Sequence, residues 1–491
     1  MSLYMGLDVG TTTLSAVILD TDSGCPVTSR SCENDASVTG PSRAELDLAA
    51  LRVSIIDLLA QTVRDIGERR EEVRALGVTG QMHGVALLAP DTRPLGPAIT
   101  WQDGRVEERM PGGDVTYLQH FVALAGGEEA FWRMGCLPAA GFMGPTLHWL
   151  RLNGRLPSAP ARACFIPDAA VAFLIGHPPP TDPTDAASSG LYDVVHGRWD
   201  EEFVERLGLP MGILPPVKPS GWPAGELLPH MAEATGLPSG TPVMGAVGDN
   251  QTSFLGSVRE PGEAILLNVG TGAQISALID DFHRLPGVDT RPFPHSRYLL
   301  VGAGLFGGRS YALLRDFFDQ VGEAFFQGSD DDTLYGAMNA LAAAVPPGAE
   351  GVRCAPFFTG TRQDPQLRAS FTGLGVDTLT PGHLSRALLE GIGEAFYDLY
   401  ERMCVLFGER EHLVGAGNGI RRNPLLARIL AQRFDMPLYV AVHEEAAAVG
   451  AALLAAVTRG DFASADAAVG ELHYGATIKP SLEKHSGEGT S

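Results

Sequence analysis

The chain has 491 residues, 45% hydrophobic and 19% charged, an ordinary globular composition that is too long for one core and predicts two domains. Its 58 acidic against 36 basic residues give a net charge of −22, which argues against a general nucleic-acid or anionic-membrane binder. A small anionic ligand held locally by backbone amides and a cation stays allowed.

Met5-Gly6-Leu7-Asp8-Val9-Gly10-Thr11-Thr12 closes an apolar run and leads into a second one, Leu14 to Leu19. The pattern predicts a β-hairpin whose tight turn offers backbone N–H groups and the hydroxyls of Thr11, Thr12 and Thr13. Glycine lets the backbone approach a ligand closely and unpaired amides attract anions, so such a turn can cradle a phosphate. Arg43 to Ile66 has the apolar spacing of an amphipathic helix. Val73 to Thr79 reads as a strand that breaks at Gly80-Gln81-Met82-His83-Gly84, and Val85 to Leu88 as another, followed by a turn at Pro90 to Pro94. Residues 155–225 are rich in Pro, Gly and Asp and predict a loop-heavy insertion. Thr241 to Val247 is strand-like and ends at Gly248-Asp249-Asn250, where a helical pattern and a hinge between halves are expected.

The opening phrase then recurs. Leu266-Leu267-Asn268-Val269-Gly270-Thr271-Gly272 ends one apolar run ahead of another, Ile275 to Ile279. One copy could be an ordinary hairpin. Two copies, one carrying Asp8 and the other Asn268, suggest related halves gripping one polyphosphate from opposite sides. Asp8 is the natural place for Mg²⁺, a hard cation that prefers oxygen ligands. Further on come a strand at Tyr298 to Val301, a helix near Ser310 to Phe318, and a long helix from Leu384 to Leu406. A strand at His412 to Val414, a helix from Pro424 to Phe434, a strand from Leu438 to Val442 and an apolar helix near 445–457 complete the pattern. Hairpins and helices in both halves predict an α/β fold with a duplicated core.

The six cysteines are scattered without a CxxC pair, which fits thiols in a reducing compartment better than a disulfide frame or a zinc site. Met1 to Met5 shows no signal-peptide pattern, and the apolar run Ala446 to Val457 is too short to span a bilayer. A cytoplasmic location is the default expectation.

Gly415-Ala416-Gly417-Asn418-Gly419 lies between a strand and the helix opened by Asn423-Pro424, a good N-cap and first-turn pair. Bare backbone there suits a flat adenine or ribose; the alternative is a tight turn needed only for packing. Asp249, at a strand-to-helix junction, is placed for a catalytic carboxylate or for an N-cap, a role Asn250 could fill equally well. In phosphoryl transfer to an alcohol, one carboxylate accepting the hydroxyl proton is the expected apparatus. Gln81-Met82-His83 and Trp101-Gln102-Asp103 follow short apolar segments, where polar side chains suit a polyol and the face of Trp101 a sugar's C–H surface. Taken singly, His83 could instead be a structural histidine and Trp101 a core residue.

Together these residues resemble the FGGY family of carbohydrate kinases, over about residues 3 to 457. Leu7 to Thr12 is similar to the family's first phosphate motif, Asn268 to Gly272 to its second, and Gly415 to Gly417 with Asn423 to its adenosine motif. Ala303-Gly304 through Gly307-Gly308 resembles the nucleotide-side turn, and Glu444 to Ala452 the closing helix. Val78 to Gly84 is similar to the ketose-binding loop of xylulokinases and sedoheptulokinases, and Thr100 to Arg105 leans towards sedoheptulokinases. The resemblance implies two RNase H-like domains of the actin and sugar-kinase superfamily around a cleft, residues 1–250 and 251–480, followed by a polar tail at 481–491.

It further implies Asp249 as general base, with Gln81, Met82, His83, Trp101, Asp103 and Asn250 toward the sugar. Asp8, Thr11, Thr12, Thr13, Gly270, Thr271, Gly308, Gly417 and Asn423 would face ATP, with Asp8 on Mg²⁺ through water. Two departures bear on the sugar: Thr146 stands where xylulokinases commonly carry Lys, and Gly360-Thr361-Arg362 replaces a frequent Gly-Glu-Arg. The reading is an ATP-dependent kinase of a free ketose, sedoheptulose first and D-xylulose or another polyol second, with no nucleic-acid or membrane partner and a homodimer left open. A nucleotide-gated ATPase that transfers nothing to sugar is the rival from another class.

Overall fold

The computed structural model describes residues 2–157, 161–326, 331–360, 364 and 366–480. The expected tail at 481–491 and the departure at Thr361 and Arg362 lie outside the described residues.

Two sheets repeat one plan. In the first, strands run in the spatial order Cys25–Glu33, Thr13–Asp20, Leu3–Val9, Val73–Gly80, Pro242–Met244 and Pro223–Glu226. In the second, the order Arg297–Leu305, Ala273–Ile279, Ala264–Val269, His412–Ala416 and Leu438–Ala441 is flanked by Asp289–Phe293 at one edge and Tyr474–Ile478 at the other. Each sheet therefore has an antiparallel hairpin whose first strand pairs in parallel with a strand from much later in the chain. Leu3–Val9 pairs that way with Val73–Gly80, and Ala264–Val269 with His412–Ala416. The central strands are apolar on both faces because helices cover both sides.

The C-terminal apolar helix, Ala446–Arg459, is wedged between the halves. Glycines let it in: a Cβ on Gly6 would sit 1.9 Å from the Ala448 carbonyl oxygen, and one on Gly77 2.1 Å from that of Ala451. The helix Asp249–Leu255 crosses it just as closely, since a Cβ on Gly450 would meet the Thr252 carbonyl oxygen at 1.9 Å. One buried cluster joins Tyr4, Val17 and Ala75 of the first sheet, Ala264 and Leu266 of the second, and Val449, Ala452 and Leu453 of this helix. Strand-to-helix contact at backbone distance leaves little play where the halves meet.

One expectation fails and another missed a helix. Arg43–Leu46 is a short strand paired with Ser37–Gly40 and Ala98–Ile99, and the helix starts only at Leu48, capped by Asp47, whose carboxylate accepts from Ala49 and Ala50 N–H. The apolar spacing ran through the cap, so the start was misplaced. Residues 155–225 are rich in loops as expected, with short elements between them, but they also hold the helix Ile166–Ile175, every residue of which is buried. A helix apolar all round has no amphipathic signature to read. No described helix is long and apolar enough to cross a membrane.

Candidate active site

Parallel strands carry the candidate residues to one edge. Asp8 pairs with Thr79, and Val247-Gly248 pairs in parallel with Thr79-Gly80, so Asp8, Gly80 and Asp249 emerge side by side at the strands' carboxyl ends. That edge is where open α/β sheets bind ligands. The Thr79 hydroxyl fixes the junction by donating to the Val247 carbonyl at 2.6 Å and lying 2.7 Å from the Thr252 hydroxyl.

Asp249 is the first residue of its helix, and Gly248 occupies the cap position without a side-chain bond. The N-cap alternative therefore does not apply to Asp249. Nor does Asn250 cap, since its side-chain oxygen accepts from Gln274 across the two halves at 3.3 Å. Burial pushes the Asp249 carboxyl up to about 6, against the pull of the Asn250 and Asp249 backbone N–H groups. Asp8 is raised well above the usual carboxylate range, first by burial, then by the charges of Asp249 and Glu445. Its Oδ1 is buried with no hydrogen-bond partner among the described residues.

Asp8 thus feels two further carboxylates, Asp249 and Glu445. An orphaned oxygen and mutual repulsion fit a hard divalent ion. Among the described residues no group of three or more His, Cys, Asp and Glu could enclose a metal directly, so phosphate oxygens and water would have to complete its shell.

The first turn, Gly10 to Thr12, is tied from outside. The Gly10 carbonyl accepts from Asn34 Nδ2 at 2.9 Å and Gln81 Nε2 at 3.3 Å, and the Thr11 hydroxyl from the Trp101 indole N–H at 2.9 Å. The second turn is tied by backbone: Gly308 N–H donates to the Gly270 carbonyl at 3.0 Å and Arg309 N–H to that of Thr271 at 3.1 Å. Only glycine fits at Gly308, where a Cβ would lie 2.5 Å from the Gly270 oxygen. Gly417, at φ +81°, lies against the same hairpin, a Cβ there falling 2.4 Å from the Val269 oxygen and 2.7 Å from Asn268 Oδ1.

A cavity of about 920 Å³ opens above these glycines and is lined by Gly270, Thr271, Gly308, Gly417 and Asn423 of the residues expected to face ATP. Asn423 caps the helix Pro424–Phe434 through Leu426 N–H, and its side-chain N–H₂ donates to Asn339 at 3.0 Å, which also accepts from the Tyr311 hydroxyl at 2.8 Å. Arg309, Arg421 and Arg422 add positive charge to the lining. Sequence reasoning passed over Asn339, Arg309 and Arg421, because nothing in their neighbourhood marks them until the chain folds. Glu445 was visible only as the start of a helix.

On the sugar side, His83 adopts φ +75°, an uncommon conformation for a non-glycine residue that is held by its neighbours. Its N–H donates to the Ser188 hydroxyl at 3.0 Å, its Nδ1 lies 3.0 Å from the Ser188 carbonyl oxygen, and its ring stacks on Phe142 at 4.1 Å. The same short segment holds the start of the helix Asp249–Leu255, because Thr184 Oγ1 accepts from Gly248 N–H at 2.8 Å. Asp182, Asp168 and Asp185 are buried there. Burial pushes Asp182 up to about 6 and Asp168 to about 8, and raises Asp185, which also feels Asp168, Asp182 and Asp249. These acids were hidden in the stretch read as loops.

Asp103 differs from the sugar reading. It is wholly buried, and its oxygens take Ala44 N–H at 2.8 Å, Arg105 N–H at 2.9 Å and the Arg105 guanidinium at 2.6 and 2.9 Å. An acid so engaged anchors its loop. Thr146 is also fully buried, in the helix Met143–Leu152.

Comparison with known proteins agrees with this architecture. The models of the FGGY family of carbohydrate kinases match residues 3–256 with the N-terminal domain and 282–459 with the C-terminal domain. A sedoheptulokinase of Mus musculus is 28% identical over 92% of this chain and 96% of that protein. A glycerol kinase of Polaromonas naphthalenivorans is 28% identical over 95% of this chain and 92% of that protein. The crystal structure of xylulose kinase from Rhodospirillum rubrum superposes with a TM-score of 0.86 at 26% identity, covering 98% of this chain and 94% of that one.

Proposed function

This chain belongs to the FGGY family of carbohydrate kinases, and on that premise we propose that its phosphoryl acceptor is the terminal hydroxyl of a free ketose. Sedoheptulose is the first choice and D-xylulose the second. The observation that carries the chemistry is Asp249, a carboxylate freed from capping, held beside Asp8 at the strand ends and pushed up to about 6. A base of that strength can take a hydroxyl proton near neutral pH.

In the step itself the sugar oxygen bonds to the γ-phosphorus as the bond to the β–γ bridging oxygen breaks. ADP leaves, and the hydroxyl proton passes to Asp249. Thr11, Thr12, Thr13 and Thr271 stand at the two turns to donate to phosphate oxygens, while the backbone at Gly270, Gly308 and Gly417 leaves room for the nucleotide. Asp8 would hold Mg²⁺ through water, and the bound ion would neutralise charge on the phosphates. Gln81, Met82, His83 and Asn250 would line the acceptor side.

Activity on sedoheptulose, xylulose, ribulose, fructose and glycerol, compared as kcat/KM at one Mg·ATP concentration, tests the acceptor. The highest value should fall on a ketose; a panel won by glycerol overturns the reading. Sugar-independent ADP release that Asp249→Ala leaves unchanged would favour the gated ATPase instead.

A further inference from the structure

Two of the residues expected at the sugar, one from each of the loops at 81–84 and 101–105, also touch the first phosphate turn. Trp101 bonds the Thr11 hydroxyl and Gln81 the Gly10 carbonyl. The indole nitrogen can only donate, so Thr11 accepts from it and keeps its own hydroxyl hydrogen for another acceptor, such as a phosphate oxygen. Trp101 sits on a rigid base. Gly141, at φ +77°, packs so closely that a Cβ would lie 2.1 Å from the Trp101 carbonyl oxygen, and Asp103 pins the loop two residues on. Trp101 as a residue stays 45% exposed. Gln81 is buried, yet its Oε1 has no partner among the described residues.

We propose that Trp101 and Gln81 are positioning residues that couple the acceptor pocket to the first glycine–threonine turn. An acceptor covering the exposed indole and meeting the Gln81 amide holds both side chains in place, and they in turn fix Gly10 and Thr11 for the phosphates. The second turn itself is tied instead to the backbone of Gly308 and Arg309. The inference rests on the kinase reading for the acceptor pocket, though not on which acceptor fills it.

The test is the tightening of a non-hydrolysable ATP analogue by the acceptor that the wild-type enzyme phosphorylates fastest. The ratio of analogue Kd without and with acceptor is measured for wild type, Trp101→Phe, Thr11→Val, Thr11→Ser and the Trp101→Phe/Thr11→Val double variant. Taking the ratio cancels any direct loss of phosphate affinity.

Wild type should show tightening. Each of Trp101→Phe and Thr11→Val should cut the ratio by about 3- to 10-fold, the share of one hydrogen bond. The double variant should fall no further, and Thr11→Ser should keep the wild-type ratio. In Trp101→Phe, kcat should drop, and by reciprocity the acceptor Kd with the analogue bound should rise by the factor the ratio falls, while the acceptor Kd without nucleotide stays within about 2-fold of wild type. An unchanged ratio, an additive double variant, or an acceptor Kd raised equally with and without nucleotide overturns the coupling and leaves Trp101 a plain wall of the pocket. Failure of the ketose reading shows instead in the wild-type panel, before any variant is compared.

Discussion

The two glycine–threonine turns share a hairpin and a parallel neighbour strand, yet they are held and charged differently. The first carries Asp8, with a buried oxygen left without a partner, and is secured by side chains from Asn34, Gln81 and Trp101. The second carries Asn268, packed against Gly417, and is secured by backbone bonds from Gly308 and Arg309. A neutral amide can lie against a carbonyl-rich glycine loop where a carboxylate would be repelled. The two turns differ in this side-chain type, which divides them into a charged turn beside the acid cluster and a neutral turn beside the cavity of about 920 Å³.

The largest effect expected is at Asp249, the proposed base. Asp249→Asn should lower kcat by about 10²- to 10⁴-fold while a titration of ATP analogue shows affinity within about 2-fold of wild type. Lost nucleotide affinity would mean that Asp249 serves the phosphates. Asp8→Asn makes the first turn chemically like the second. Its turnover should fall about 10- to 100-fold, the usual effect of disturbing groups around a bound metal, and a Mg²⁺ titration should shift to higher concentration.

Gly417→Ala crowds the neutral turn alone, and overpacking of about 1–3 kcal/mol should appear as a lower Tm and a higher ATP KM with the acceptor KM unchanged. The mildest probe is pH. A base that must be ionised in the free enzyme makes kcat/KM fall as pH drops through about 6 and level off above it, and Asp249→Asn should flatten that limb. A profile that rises towards acid would assign the proton the opposite role.

Much of this was legible along the chain. Gly10-Thr11 and Gly270-Thr271 each separate two apolar runs, and hairpin strands with a local turn need nothing distant to declare themselves. The helix Pro424–Phe434 announced its own cap in Asn423. Other features lacked a local signal. Ile166–Ile175 has no polar face, so its apolar run fits strand or helix equally well. Asp103 looked like a sugar ligand because its partner Ala44 lies far back in sequence, and only folding shows its carboxylate fully occupied. Glu445 reaches Asp8 from the other end of the chain, and Asp185 feels Asp249 from a segment rich in turn residues.

The amino-acid order by itself determined the paired turns, the strands that present them and the acid at the strand-to-helix junction, because each depends on residues within one or two elements. Tertiary structure alone decided which carboxylates meet, which loop residues brace the phosphate turn and how the closing helix wedges between the sheets. Those outcomes depend on parallel strand pairing and glycine-thin packing between segments hundreds of residues apart, where charge and distance act through space and leave no mark on neighbouring positions.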